Sequence, residues 1–164
     1  MNFKFASLAL ASALSFGAQA TTTDWGTHDA LEVAAAITPI GSFADTYLFA
    51  LASDNSVFST AVSNNLTQVL GIQDGTVTLF RETGVVDTAV GGFAFNGSTG
   101  NISYSFGALA TGDYYYLVSG LGTGTAGGFY TLSSTITPVP EPQSYALLLA
   151  GLGAVGFIAR RRRL

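Results

Sequence analysis

Between residues 21 and 137, the chain has no long stretch of helical periodicity, but it has many short runs of β-branched and aromatic residues separated by glycine-containing turns. We predict nine strands from these runs, at residues 31–37, 46–52, 57–62, 67–72, 76–82, 92–95, 101–106, 114–119 and 129–137. Many short strands at this spacing predict an all-β fold, an antiparallel β-sandwich or jelly roll. The glycine-rich stretch at 120–128 is predicted to be a flexible hairpin loop or bulged connection.

In the run around Asp45, large apolar side chains recur at every second position, and this alternation bears on the role of Asp45. Asp45 shares strand parity with Phe43, Tyr47 and Phe49, which predicts that its carboxylate points inward. A buried carboxylate needs partners. Hydrogen bonds to nearby backbone amides are the favoured reading, and calcium ligation or catalysis are the alternatives. Asp113, which also flanks an aromatic strand, is the second weak calcium candidate.

Charge and composition exclude several classes of function. Residues 21–139 carry nine acidic side chains and a single basic one, Arg81. A body this acidic repels phosphate backbones, so we expect no nucleic-acid partner. The chain has no cysteine, which excludes disulfides, thiolate metal sites and a cysteine nucleophile.

The first 20 residues have the three parts of a secretory signal peptide. Lys4 charges a short n-region, an apolar stretch follows at residues 5–16, and Ala18-Gln19-Ala20 has the A-x-A form of a cleavage site. Signal peptidase would then leave Thr21 as the first residue of the mature chain. An N-terminal core helix is the alternative interpretation.

The polar segment that follows, TTTDWGTHD, holds the only histidine and the only tryptophan. We predict that His28 is solvated on a mobile lead-in and that Trp25 packs over a sheet edge. A metal site from His28, Asp24 and Asp29 is the alternative. A catalytic triad would need a serine beside His28, and no serine lies in a G-x-S-x-G elbow, so we predict no enzyme activity.

Three consecutive tyrosines, Tyr114 to Tyr116, lie in one predicted strand. Alternate side chains face opposite sides of a strand, so Tyr115 is predicted to be exposed. An exposed tyrosine can stack on a sugar ring or simply form part of the sandwich surface.

The 17 residues at 143–159, which precede the C-terminal arginines, carry no charge. As a helix they would extend for about 25 Å, near the lower limit for a hydrocarbon core of about 30 Å. The arginines that follow are expected to stay cytoplasmic. We therefore predict a single transmembrane helix with the body on the opposite side, in agreement with the signal peptide.

Three consecutive features at this end form one constellation. Pro140, Glu141 and Pro142 precede the apolar run 145–159, and Arg160, Arg161, Arg162 and Arg163 follow it. The order resembles the PEP-CTERM sorting signal of Gram-negative bacteria. The resemblance implies that an exosortase removes the tail near the triplet and that the protein continues to the cell surface or exopolysaccharide matrix. A permanent tail anchor is the alternative.

Two stretches of the body carry further resemblances. Phe43, Asp45 and Tyr47 fit the F-x-D-x-F/Y pattern and so resemble an FxDxF-type subgroup of PEP-CTERM proteins. Residues 111–120 resemble the G-x-Y-Y-L-x-V-x-G strand of bacterial pre-peptidase C-terminal jelly rolls. Neither resemblance implies a catalytic set.

Together these features predict a signal peptide at 1–20, a β-sandwich domain at 21–138 and a sorting signal at 139–164. The expected protein is exported through the inner membrane, transiently anchored there, and then released to the surface or extracellular matrix of a Gram-negative bacterium. Its expected role is structural or adhesive in a biofilm or exopolysaccharide matrix, without a cofactor. The alternative is a carbohydrate- or calcium-binding module. Expected partners are signal peptidase, exosortase and an extracellular polysaccharide.

Overall fold

The computed structural model describes residues 19–66, 68–139 and 142–161. Within them are nine strands, one short 3-10 helix at Thr99–Asn101 and one α-helix. The strands are β1 Thr22–Thr27, β2 Leu31–Thr38, β3 Gly41–Leu51, β4 Asn55–Ser63, β5 Ile72–Arg81, β6 Thr88–Phe95, β7 Tyr104–Leu109, β8 Gly112–Gly122 and β9 Gly128–Pro138, and the helix α1 is Pro142–Arg161.

The strands form two sheets, which confirms the predicted all-β sandwich. One sheet has the order β1-β3-β8-β5-β6 and the other has the order β2-β9-β4-β7. Every strand pair within these sheets is antiparallel except β1 with β3, which is parallel. The sandwich is therefore not wholly antiparallel, because the chain enters it along the edge of β3.

The core follows the period of two in the long strands. In β3, Phe43, Asp45, Tyr47, Phe49 and Leu51 all point inward and are buried, as the parity of this run predicts. The other sheet meets these side chains with the inward residues of β4 and β9. The core also includes aromatic and aliphatic side chains from other strands, among them Val57, Val77, Leu79, Tyr114, Tyr116, Val118, Tyr130 and Leu132.

Three parts of the strand prediction are wrong. The predicted strand at 101–106 begins only at Tyr104, because a 3-10 helix ends at Asn101. The predicted strand at 67–72 is a turn over residues 68–69, where Gln68 has a left-handed φ of 63°, and β5 begins at Ile72. The predicted mobile lead-in is instead the strand β1. It is held by β3, and the backbone N–H of His28 donates to the carbonyl of Ala50 at 2.9 Å.

The predicted hairpin at 120–128 joins strands of different sheets. It crosses the end of the sandwich in close contact with residues 38 and 39. A Cβ on Gly122 would lie 2.1 Å from the Pro39 carbonyl oxygen. A Cβ on Gly127, which has a φ of +89°, would lie 2.0 Å from that of Thr38. Glycine is required here because the two backbones approach too closely for a side chain.

Helix α1 follows the last strand after a short connection. Pro142 stands at its first position, where proline is favoured, and Arg160 and Arg161 lie in its last turn, where positive charge suits the helix dipole. Its apolar side chains, including Leu147, Leu149 and Phe157, are exposed. Over the residues that the structure describes, no helix reaches the length and apolar character of a membrane-crossing segment.

Candidate functional site

Asp45 lies at the centre of a buried polar cluster. Its side chain is only 5% exposed. Oδ2 accepts a hydrogen bond from the Tyr130 hydroxyl at 2.7 Å, and Oδ1 accepts from the backbone N–H of Thr21 at 3.2 Å and from the Thr21 hydroxyl. The Tyr130 hydroxyl also lies 2.7 Å from that of Tyr47. The carboxylate thus binds a backbone amide, as the favoured reading expects, although this amide lies at the start of the sandwich.

The two tyrosines of this cluster remain neutral over a wide pH range. Burial is the main cause that raises the pKa of Tyr130, and its hydrogen bonds to Tyr47 and Asp45 raise it further. Burial also raises the pKa of Tyr47, and the Asp45 charge adds to that effect. Each phenol can therefore act as a hydrogen-bond donor beside the carboxylate.

The prediction of a solvated His28 is wrong, because its side chain is 5% exposed. Nδ1 lies 2.5 Å from the carbonyl oxygen of Asp29, and Nε2 lies 2.8 Å from Oγ of Ser134 in β9. The ring also meets Phe49 edge-on, with 5.0 Å between ring centroids. Both ring nitrogens have partners within the protein, and among the described residues His28, Asp24 and Asp29 form no group arranged to hold a metal ion.

Ser134 continues this contact into a chain of hydrogen bonds between the sheets. Its Oγ lies 2.8 Å from the Tyr116 hydroxyl, which lies 2.5 Å from Oγ of Ser59. The Asp29 carbonyl can only accept, so His28 Nδ1 donates to it, and in the tautomer with its proton on Nδ1 the other nitrogen, Nε2, accepts. Donation from Ser59 through Tyr116 and Ser134 to His28 gives every hydroxyl a partner. Burial raises the pKa of Tyr116 to about 12, so its hydroxyl stays protonated.

These hydrogen bonds join a histidine to a serine, but the pair lies inside the core. Ser134 is 0% exposed, so no substrate can reach its hydroxyl in this conformation. Sequence reasoning missed Ser59, Ser134 and Tyr130 as partners. The available signal was their inward parity in β4 and β9, where a small polar residue among apolar ones needs a buried partner.

Trp25 and Tyr115 lie where the sequence predicts. Trp25, on edge strand β1, packs partly buried against the core, with its ring centroid 5.2 Å from that of Tyr47. Tyr115 lies on the outer face of its sheet and is partly exposed. Its ring stacks on Phe80 at 5.0 Å, with 13° between the planes, and its hydroxyl donates to Asp87 at 3.1 Å.

Asp113 lines a surface cavity of about 370 Å³ together with Asp24 and Glu82. Among the described residues, no group of three His, Cys, Asp or Glu side chains is arranged to hold a metal ion. The other calcium candidate, Asp45, has both oxygens engaged by Thr21 and Tyr130. Calcium ligation by Asp113 or Asp45 stays a prediction.

The structure describes only some of the residues that are predicted to direct processing. Ala18, Pro140, Glu141, Arg162 and Arg163 lie outside the described residues. Ala20 is exposed beside Thr21, and Arg160 and Arg161 are exposed at the end of α1. β9 ends at Pro138, and α1 begins at Pro142, the last residue of the triplet.

Residues 138–163 match the PEP-CTERM protein-sorting motif. This confirms the resemblance of the C-terminal segment, and the chain carries a PEP-CTERM sorting motif. The motif implies an exported protein that is sorted at the membrane and processed by an exosortase. Membership of the FxDxF-type subgroup through Phe43, Asp45 and Tyr47 stays a prediction, as do the domain boundaries.

Two solved structures are similar to the chain. One is the pre-peptidase C-terminal domain of a collagenase from Bacillus anthracis, with 20% identity over 73% of this chain and 99% of that domain, at a TM-score of 0.48. Another is PliG of Aeromonas hydrophila, a periplasmic inhibitor of g-type lysozyme, with 15% identity over 74% of this chain and 100% of that chain, at a TM-score of 0.46. No curated protein sequence matches the chain.

Proposed function

We propose that the chain is a non-enzymatic protein of the cell surface or exopolysaccharide matrix of a Gram-negative bacterium, with a structural or adhesive role. The sandwich is the exported cargo. The C-terminal segment is a temporary membrane tether that an exosortase removes. The observation that carries this proposal is the sorting motif at 138–163, which begins where the last strand of the sandwich ends.

The geometry supports the tether in two ways. β9 ends at Pro138 and α1 begins at Pro142, and proline continues neither a helix interior nor a central strand. Removal of the segment that begins at Pro142 would therefore leave the strands of the sandwich intact. The exposed apolar side chains of α1, such as Leu148 and Ile158, suit contact with lipid, and Arg160 and Arg161 suit the cytoplasmic interface.

The buried polar side chains support a role without catalysis. His28 and Ser134 form a contact that is closed to solvent, and Asp45 uses both oxygens inside the core. A hydrolase would need such groups open to a substrate in a cleft. Instead they link the two sheets, which suits a protein whose function depends on mechanical integrity outside the cell.

The sorting step can be tested in the native cell by replacing the triplet with Pro140→Ala, Glu141→Gln and Pro142→Ala. We expect the variant to accumulate in the membrane fraction with its C-terminal arginines, while the wild-type protein loses them. Glu82→Gln, an exposed change in the body, is the matched control and should be processed normally. Normal processing of the triplet variant would contradict the proposal.

Carbohydrate binding is the second candidate, and the stacked pair of Phe80 and Tyr115 on the outer face of the sheet favours it. An aromatic ring on a flat sheet face can stack on a sugar ring. In affinity electrophoresis through the native exopolysaccharide, we expect the wild-type protein to be retarded and the Tyr115→Ala variant to run without retardation. Val85→Ala, at an exposed position on the β5–β6 connection, is the control. Unretarded wild-type protein would exclude this candidate.

A further inference from the structure

Asp45 is a buried carboxylate in a domain that has almost no cations to neutralise it. Arg81 is the only Lys or Arg between residues 21 and 139. Its guanidinium lies 5.8 Å from the ring centroid of Tyr114 and donates to the Thr111 carbonyl at 3.5 Å, so it is engaged elsewhere. A buried charge is normally paired with an opposite charge. Within the described part of the body, Asp45 has only neutral hydrogen-bond donors.

One of those donors is the residue at the predicted cleavage site. Thr21 donates to Asp45 through its backbone N–H and its hydroxyl, and its carbonyl accepts from the N–H of Thr46 at 2.7 Å. Thr21 is thus fixed against β3 at three points. In the uncleaved chain its nitrogen is a neutral amide.

We propose that removal of residues 1–20 places the new α-ammonium group of Thr21 on Asp45, forming a partly buried ion pair that holds β1 against β3 in the mature protein. The proposal rests on the export in the proposed function and on the cleavage after Ala20 that the sequence predicts. Water hydrolyses the Ala20–Thr21 peptide bond, the carboxylate leaves with Ala20, and the amine on Thr21 takes up a proton. The nitrogen already lies 3.2 Å from Oδ1, so the pair forms without rearrangement of the strand.

Cleavage also removes one existing contact. The carbonyl of Gln19 accepts from the N–H of Ala44 at 3.0 Å, and that acceptor is lost with the signal peptide. The total stability difference between the two forms therefore mixes a gain with a loss. The pH dependence of that difference isolates the ion pair, because the Gln19 contact does not titrate.

The sign of this pH dependence follows from the amine. An α-amino group ordinarily has a pKa of about 7.7–8.0, and the pair with Asp45 would raise the pKa in the folded state. The ion pair then stabilises the fold fully below about pH 7.7. This stabilisation is lost as the pH rises through the pKa of the amine in the folded state. The titratable groups that face it are Asp45 and Tyr47 of β3 and Tyr130 of β9. All three groups are common to both forms.

The test compares the melting temperatures of chains 21–164 and 19–164 in the same mild detergent at pH 6.5 and 9.5. The second chain has its amine on Gln19, which is exposed. We subtract the melting temperature of chain 19–164 from that of chain 21–164 at each pH. We expect this difference to fall by about 4 °C or more between pH 6.5 and pH 9.5. The change should vanish in Asp45→Asn and persist in Asp24→Asn, an exposed carboxylate on β1. An advantage that does not vary with pH would overturn the proposal.

A second measurement decides the matter if Asp45→Asn does not fold. In an NMR titration of chain 21–164, the pKa of the Thr21 α-amine should exceed the ordinary range, and an ordinary value would overturn the proposal. Both experiments use a defined N-terminus, so they are independent of export in the cell. A native N-terminus other than Thr21 would contradict the predicted cleavage after Ala20 and leave the result on the ion pair intact.

Discussion

At the scale of single residues, the structure depends on a few polar side chains placed where an all-apolar core would be expected. Asp45, Ser59, Tyr116, Tyr130 and Ser134 are buried, and each finds its partner on the opposite sheet. The cost of an unpaired buried polar group is comparable to the whole net gain from a hydrogen bond. These side chains therefore fix how the two sheets face each other, which apolar contacts alone specify less strictly.

Tyr116→Phe tests this role. The change removes the hydroxyl between Ser59 and Ser134 and leaves two buried polar groups with one partner fewer, so we expect a loss of about 1–3 kcal/mol in the free energy of unfolding. Tyr115→Phe is the matched control, because its hydroxyl bonds Asp87 at the surface, and it should change stability by less than about 0.5 kcal/mol. Urea unfolding measures both free energies. Equal losses in the two variants would contradict the role that we assign to the buried hydroxyl of Tyr116.

Buried tyrosines also predict how stability responds to alkali. The pKa of Tyr116 is raised to about 12, and those of Tyr47 and Tyr130 are raised as well, chiefly by burial. The folded state favours the neutral phenols, whereas the unfolded chain ionises them near pH 10. Stability is therefore complete below about pH 10 and falls as the pH rises through the folded pKa values.

An ultraviolet titration checks this expectation. Of the seven tyrosines in the sequence, these three should ionise only when the circular dichroism signal of the fold is lost. Ionisation of all seven near pH 10 in a protein that stays folded would contradict the buried assignment.

At the scale of elements, the sequence predicts those strands whose alternation is strong. β4, β8 and β9 each contain a predicted strand and β3 overlaps one, because all four are rich in β-branched and aromatic residues and the large side chains of β3 recur at every second position. β1 has no such pattern, since its residues TTDWGT owe their conformation to pairing with β3. The run at 67–72 looks extended in sequence but includes a left-handed residue and a glycine.

The buried position of His28 could not be read from its neighbours. Polar residues and Asp29 surround it in sequence, which is typical of a solvated segment. Its partner Ser134 is 106 residues away, so only the pairing of sheets brings the two together. Local patterns thus predict elements and faces, whereas long-range hydrogen bonds follow from topology.

The connection between β8 and β9 gives a prediction at this scale. Gly127→Ala would place a Cβ 2.0 Å from the Thr38 carbonyl oxygen, in addition to the strain of a positive φ, and should reduce the melting temperature sharply or prevent folding. Gly84→Ala is the matched control, because Gly84 also has a positive φ, of +78°, but a Cβ there meets nothing within 4 Å.

We expect Gly84→Ala to lose only about 1–2 kcal/mol, the usual penalty for a left-handed non-glycine residue. Thermal unfolding of the two variants side by side gives the comparison. A Gly127→Ala protein as stable as Gly84→Ala would mean that the backbones are not in close contact at this crossing.

At the scale of the whole molecule, a folded sandwich and a sorting segment lie in sequence with a short proline-flanked connection between them. The core cluster lies entirely in the β-sandwich, and α1 contributes no residue to it among those described. Loss of the segment would therefore leave the core complete. This separation is what a cargo needs if its tail is discarded after export.

The mass of the intact protein recovered from its native cell tests this account most directly. We predict a mature chain that begins at Thr21 and ends near Glu141, without Arg160 and the arginines that follow it. A mass that retains those arginines at the final destination of the protein would contradict the account and identify the segment as a permanent anchor.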